Sequence, residues 1–81
     1  MAKKSQERED EARLSYQQGT SDKVYNVYLK QDRQGWVVET EYGRRGGTLT
    51  KNFKTARPMD WSSARVVFEN VVREKTGKGY V

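Results

Sequence analysis

The residues best suited to chemistry are Tyr42, Gly43, Arg44, Arg45, Gly46 and Gly47, which set an aromatic ring, a glycine hinge and two adjacent guanidiniums at one turn. They lead into a stretch from Gly43 to Arg57 that carries Arg44, Arg45, Lys51, Lys54 and Arg57 and no acid. An aromatic ring can stack on a base or ribose, and fixed guanidiniums can grip phosphates. The plain alternative is a solvated basic loop, since charge patterning by itself is a weak motif. A second pair, Glu39 and Glu41, shares a strand face at about 7 Å by strand geometry, near the separation that glycosidases use. An exposed strand edge of this kind is ordinarily solvated. The chain has no histidine and no cysteine, so general-base or nucleophilic chemistry would fall to Asp, Glu, Lys, Ser or Tyr, in a domain too small for a deep cleft. We therefore expect a binding protein and not an enzyme.

Composition sets the remaining bounds. The 81 residues suffice for one small core, and a chain this short buries only about 60% of its unfolded surface. Hydrophobic residues make up 33%, and the mean hydropathy is −1.10; both would suit disorder if the apolar residues were scattered. They are instead gathered into periodic runs between residues 24 and 72. Without Cys or His, neither a disulfide nor a structural zinc site is expected, and no motif calls for a cofactor. No apolar run reaches the length of a signal peptide or a membrane span, so the expected setting is the cytoplasm, without membrane contact. The net charge of +5 is uneven: residues 1–12 hold three bases and four acids, which leaves +6 on 13–81. The part expected to fold is the basic part, which points towards a polyanionic partner.

These residues need a scaffold to hold them. Residues 1–12 show no apolar stripe and read as a flexible charged arm. A short strand is expected over 13–18. Tyr25, Val27 and Leu29 then alternate with Asn26, Tyr28 and Lys30, and Trp36, Val38, Thr40 and Tyr42 alternate with Glu39 and Glu41. A further strand over 48–53 would turn Leu49 and Phe53 inward. Short glycine-rich turns between these runs imply an antiparallel meander. After Pro58 the period becomes helical, with Asp60 as N-cap, Trp61, Ala64, Phe68, Val71 and Lys75 on one face, and Gly77 placed for a left-handed cap. The economical arrangement is α+β: a small antiparallel sheet of about four strands with one C-terminal amphipathic helix packed on it.

Over residues 13–81 the chain resembles the WGR domain, a small module of poly(ADP-ribose) polymerases and of many short bacterial proteins. The likeness rests on the strand-turn-strand around Tyr42-Gly43-Arg44, on Gly46-Gly47 and the strand through Phe53, and on a helix containing Ala64 and Phe68. It extends to Val72-Arg73-Glu74-Lys75 followed by Lys78-Gly79-Tyr80. The usual Trp of the tripeptide is Tyr42 here. The resemblance implies contact with the end of a DNA strand through Tyr42 and its neighbours, with DNA favoured over RNA. It implies no transferase activity, because the catalytic region of those enzymes has no counterpart in this chain.

The expected interface is thus Tyr42, Arg44, Arg45, Lys51, Lys54 and Arg57. Tyr42 could equally be core, and Arg44 could pair with Glu41. Trp36 and Trp61 match apolar periodicities and read as core, while Lys75, Lys78 and Tyr80 read as capping and packing residues. The alternative function is a protein-interaction adaptor, in which the same Arg-rich turn docks on an acidic partner. A monomer is expected, nucleoid-associated if it binds DNA.

Overall fold

A run in which Tyr25, Val27 and Leu29 alternate with polar residues makes a strand with one face that must be covered. In the computed structural model, which describes residues 8–81, this run is the middle of a long strand, β2 (Ser21–Asp32). It pairs antiparallel with β1 (Asp10–Gln18) on one side and with β3 (Gly35–Arg44) on the other. β3 pairs in turn with β4 (Thr50–Phe53), so the order β1-β2-β3-β4 follows the chain as a meander. The chain then enters α1 (Trp61–Gly77), which lies across one face of the sheet. The architecture is the expected α+β arrangement.

The inner face carries the core. Val27, Leu29 and Val38 are completely buried, with Tyr25 and Trp36 beside them. Ala64, Phe68 and Val71 descend onto them from α1, and Trp61, Val67 and Val72 pack partly buried around the margin. Full burial of a side chain of this size stabilises by about 1.5–3 kcal/mol, so this layer is what holds the helix on the sheet. Asp60 starts the helix as expected: its carboxylate accepts from the Ser63 backbone N–H at 3.1 Å and from the Ser63 hydroxyl at 2.8 Å. Those bonds, the hydroxyl's first, hold the Asp60 carboxyl below its ordinary value.

Three expectations are corrected. The first concerns the N-terminal arm. Residues 1–7 lie outside the described residues, but 10–12 belong to β1, where Asp10, Glu11 and Ala12 face Leu29, Tyr28 and Val27. Ala12 packs against the core, and the Trp61 indole N–H donates to the Arg8 carbonyl at 3.0 Å. Ala12 continues the inward series of Leu14 and Tyr16, yet a single alanine among charges gives no visible apolar stripe.

The second concerns β4, which begins at Thr50, with Phe53 opposite Glu39. Phe53 therefore lies on the outer face and is 58% exposed, while Leu49 is half-buried ahead of the strand. A strand's two faces exchange when its register moves by one residue, and here the loop after Gly43 takes up Thr48 and Leu49.

The third concerns the helix end. Gly77 remains helical, the Lys78 N–H donates to the Lys75 carbonyl at 3.0 Å, and the positive φ of +108° falls at Gly79. A Cβ there would stand 3.0 Å from the Tyr16 ring, so glycine is needed where the chain crosses Tyr16. Beyond it, Val81 exchanges two 2.9 Å backbone hydrogen bonds with Ser15 and closes that part of the β1 edge.

Candidate nucleic-acid interface

Strand alternation puts Tyr16, Lys23, Tyr25, Tyr42 and Arg44 on the inner face, at the end of the sheet where α1 terminates. Tyr42 and Tyr25 are register partners with rings stacked at 5.4 Å and 16°. Tyr25 is buried, whereas Tyr42 is 37% exposed. The ring of Tyr42 thus extends the core on the side of Tyr25, while the residue still meets solvent. Tyr80 stands edge-on to Tyr25 at 6.0 Å and tilts against Tyr16 at 5.6 Å, which makes one continuous group of four phenols.

Cations surround this group. The Lys75 ammonium sits 4.5 Å from the centre of the Tyr25 ring, and that of Lys23 lies 5.9 Å from Tyr16. Arg44 is the register partner of Lys23 and emerges on the same face as Tyr42. Among the described residues the Arg44 side chain makes no ion pair or hydrogen bond; Glu41, the carboxylate considered for it, lies on the opposite face. There Glu41 accepts from the Tyr28 hydroxyl at 2.7 Å and from Asn26 Nδ2 at 3.3 Å. The Tyr28 bond, foremost, holds the Glu41 carboxyl below its ordinary value, while burial, then this bond, raises the Tyr28 phenol. Tyr16, Lys23, Lys75, Lys78 and Tyr80 line a shallow hollow of about 300 Å³ beside the stacked rings.

The turn that carries Arg44 is built by close approach. A Cβ at Gly43 would stand 3.1 Å from the Thr48 carbonyl oxygen and 3.2 Å from a Leu49 methyl, so the loop folds directly over this glycine. Gly46, with φ +83°, permits the reversal, and the Gly47 N–H donates to the Arg44 carbonyl at 3.0 Å. The loop thereby fixes the backbone from which Arg44 projects.

The six residues expected to form one interface do not lie together. Tyr42 and Arg44 come together. Arg45 is adjacent but engaged, its Nε donating to Asp22 Oδ1 and its backbone N–H to the Asp22 carbonyl, both at 2.9 Å. Lys51 projects from the outer face as the register partner of Glu41. The Lys54 backbone N–H donates to the Val38 carbonyl, about 13 Å along β3 from Tyr42 at ordinary strand rise. Arg57 lines a different groove, on the outer face. Conversely, Lys23, Lys75 and Lys78 border the Tyr42 cluster without having been expected there. The signal was present for two of them: Lys23 shares the period of Tyr25 and Val27, and Lys75 shares that of Phe68 and Val71.

Among the described residues no group of acids and histidines could hold a metal ion, and no helix is long and apolar enough to cross a membrane. Compared with known proteins, the family model described as the WGR domain matches residues 8–81. No curated protein and no solved structure matches the chain.

Proposed function

The chain belongs to the WGR domain family, and from that premise we propose that it is a non-catalytic DNA-binding protein that grips a strand end with Tyr42 and Arg44. WGR domains serve as nucleic-acid-binding, non-catalytic modules in the poly(ADP-ribose) polymerases. The observation that carries the reading for this chain is the stack: Tyr42, 37% exposed, is backed by the buried Tyr25 ring and flanked on the same face by Arg44. A ring held in this way loses little freedom when a terminal ribose or base stacks on it. Arg44, whose side chain makes no ion pair or hydrogen bond among the described residues, emerges on the same face for the adjoining phosphate, and Lys23 and Lys75 supply further positive charge. These contacts are to backbone and to an aromatic face, so they select for an accessible end and not for sequence.

Binding of the full chain to nicked, blunt-ended and uninterrupted labelled duplexes, to single strands and to RNA tests the proposal directly. Nicked and blunt DNA should bind most tightly. Tyr42→Trp should preserve the fold and hold or strengthen end binding through its larger stacking area. Equal affinity for ended and uninterrupted duplex, or absence of binding at low salt, would refute the proposal and favour the adaptor reading.

A further inference from the structure

The two edges of the sheet are not equivalent. At Ser15 the β1 edge is closed by Val81, whereas β4 has no strand beyond it among the described residues. The Lys54 N–H donates inward to the Val38 carbonyl at 2.9 Å, and antiparallel alternation then turns the backbone groups of Lys51 and Phe53 away from β3. The Phe53 N–H is occupied only locally, by Asn52 Oδ1 at 2.9 Å, where a neighbouring strand would offer a carbonyl. The Phe53 ring is 58% exposed and, with Val37, Thr55 and Arg57, borders a groove of about 420 Å³.

Charge selects what can use this edge. Lys51, Lys54 and Arg57 make no ion pair among the described residues, and they follow one another along the edge and the loop after it. A second copy pairing β4 with β4 would bring two sets of edge cations together, which opposes self-association. A nucleic-acid strand lying in the groove would meet Asp32 and Glu39 in its wall, besides Glu41 on the same face. An extended acidic strand added outside β4 meets the cations first and keeps its backbone away from those carboxylates.

We propose that the β4 edge and the Phe53 groove receive an extended acidic segment of a partner protein, which adds a fifth strand to the sheet. Its backbone bonds to Lys51 and Phe53, one apolar side chain packs on Phe53 and Val37, and its carboxylates meet Lys51 and Arg57. This surface is separate from the Tyr42 cluster and does not depend on the DNA-binding proposal.

The test is an amide NMR titration of the full chain with a short peptide whose Asp and Val side chains share one strand face (Asp-Thr-Val-Thr-Asp), its Lys-for-Asp counterpart, and a thymidine oligonucleotide. The acidic peptide should shift the Lys51 and Phe53 amides saturably and slow hydrogen exchange at Lys51, leaving Tyr42 and Arg44 unmoved. The basic peptide should produce no such shifts. Phe53→Thr suits an exposed edge strand, so it should keep the native spectrum, and it should weaken peptide binding about tenfold. Arg57→Gln should weaken it as well. The proposal is overturned if the acidic peptide gives no saturable shift, if its shifts fall at Tyr42 and Arg44, or if Phe53→Thr binds it unchanged. It is equally overturned if the oligonucleotide shifts the Lys51 and Phe53 amides, since the edge would then belong to nucleic acid.

Discussion

Replacing Arg44 by alanine separates the proposed grip on a strand end from general attraction to DNA. The side chain is exposed and unpaired among the described residues, and the one bond at this residue, from the Gly47 N–H, is made by its carbonyl and survives the substitution. Stability should therefore change by no more than about 0.5 kcal/mol, as for surface positions generally. Lys23, Arg44, Lys75 and Lys78 are the four cations around the stacked tyrosines. At about 0.9 per neutralised phosphate, four contacts give a slope of log K against log salt near −3.6, and three give one near −2.7. A hydrogen bond to a charged group is worth about 1.5–3 kcal/mol, so Arg44→Ala should weaken binding to nicked or blunt duplex by roughly tenfold to a hundredfold. Uninterrupted duplex should lose less, because it offers no end at which ring and guanidinium act together. Fluorescence anisotropy between about 50 and 200 mM salt measures both quantities, with melting temperature recorded beside them. Unchanged slopes, or equal losses on ended and uninterrupted duplex, would show that Arg44 is not the reader of ends.

Phe68→Ala removes a buried ring from the helix-sheet contact and should cost about 3–5 kcal/mol, read by urea unfolding; a loss below about 1 kcal/mol would contradict the core described above. Deleting residues 1–12 should lower the melting temperature, because Ala12 leaves the core and the Trp61 N–H loses the Arg8 carbonyl; each kcal/mol is worth about 4–8 °C in a domain of this size. An unchanged melting temperature would mean that these contacts contribute nothing. Tyr28→Phe should raise the Glu41 carboxyl, because the Tyr28 hydroxyl is the chief group that depresses it. A depressed carboxyl stabilises the fold above the unfolded value and loses that contribution as pH falls through the folded one, so Tyr28→Phe should also flatten the acid limb of stability. Carboxyl NMR across that range decides the point.

The elements were largely legible in the sequence, and the site was legible only in part. The face of β2 followed from Tyr25, Val27 and Leu29, the helix face from Ala64, Phe68 and Val71, and the N-cap from Asp60. Each depends on residues close together in the chain, where the period of a strand or helix fixes which side chains share a side. Tyr42 and Arg44 were singled out by residue type and by the family resemblance, as parts of a turn, and it is the extension of β3 to Arg44 that puts them on one face.

Sequence periodicity also determined that a polar, basic chain of this length would fold as a half-covered meander under one helix, because only that arrangement covers both apolar faces. Tertiary structure alone decided which faces meet at the site. Tyr16, Tyr25, Tyr42 and Tyr80 come from two ends of the chain and two central strands, and only antiparallel pairing and the return of the C-terminus past Gly79 bring their rings together. The face of β4 was read wrongly for a related reason. Four residues, Thr50 to Phe53, are too few for alternation to state a preference, so the loop over Gly43 set the register and turned Phe53 and Lys51 outward. Five cations gathered in one acid-free stretch of sequence thus became separate patches, because neighbours on a strand point to opposite sides while cross-strand partners share one.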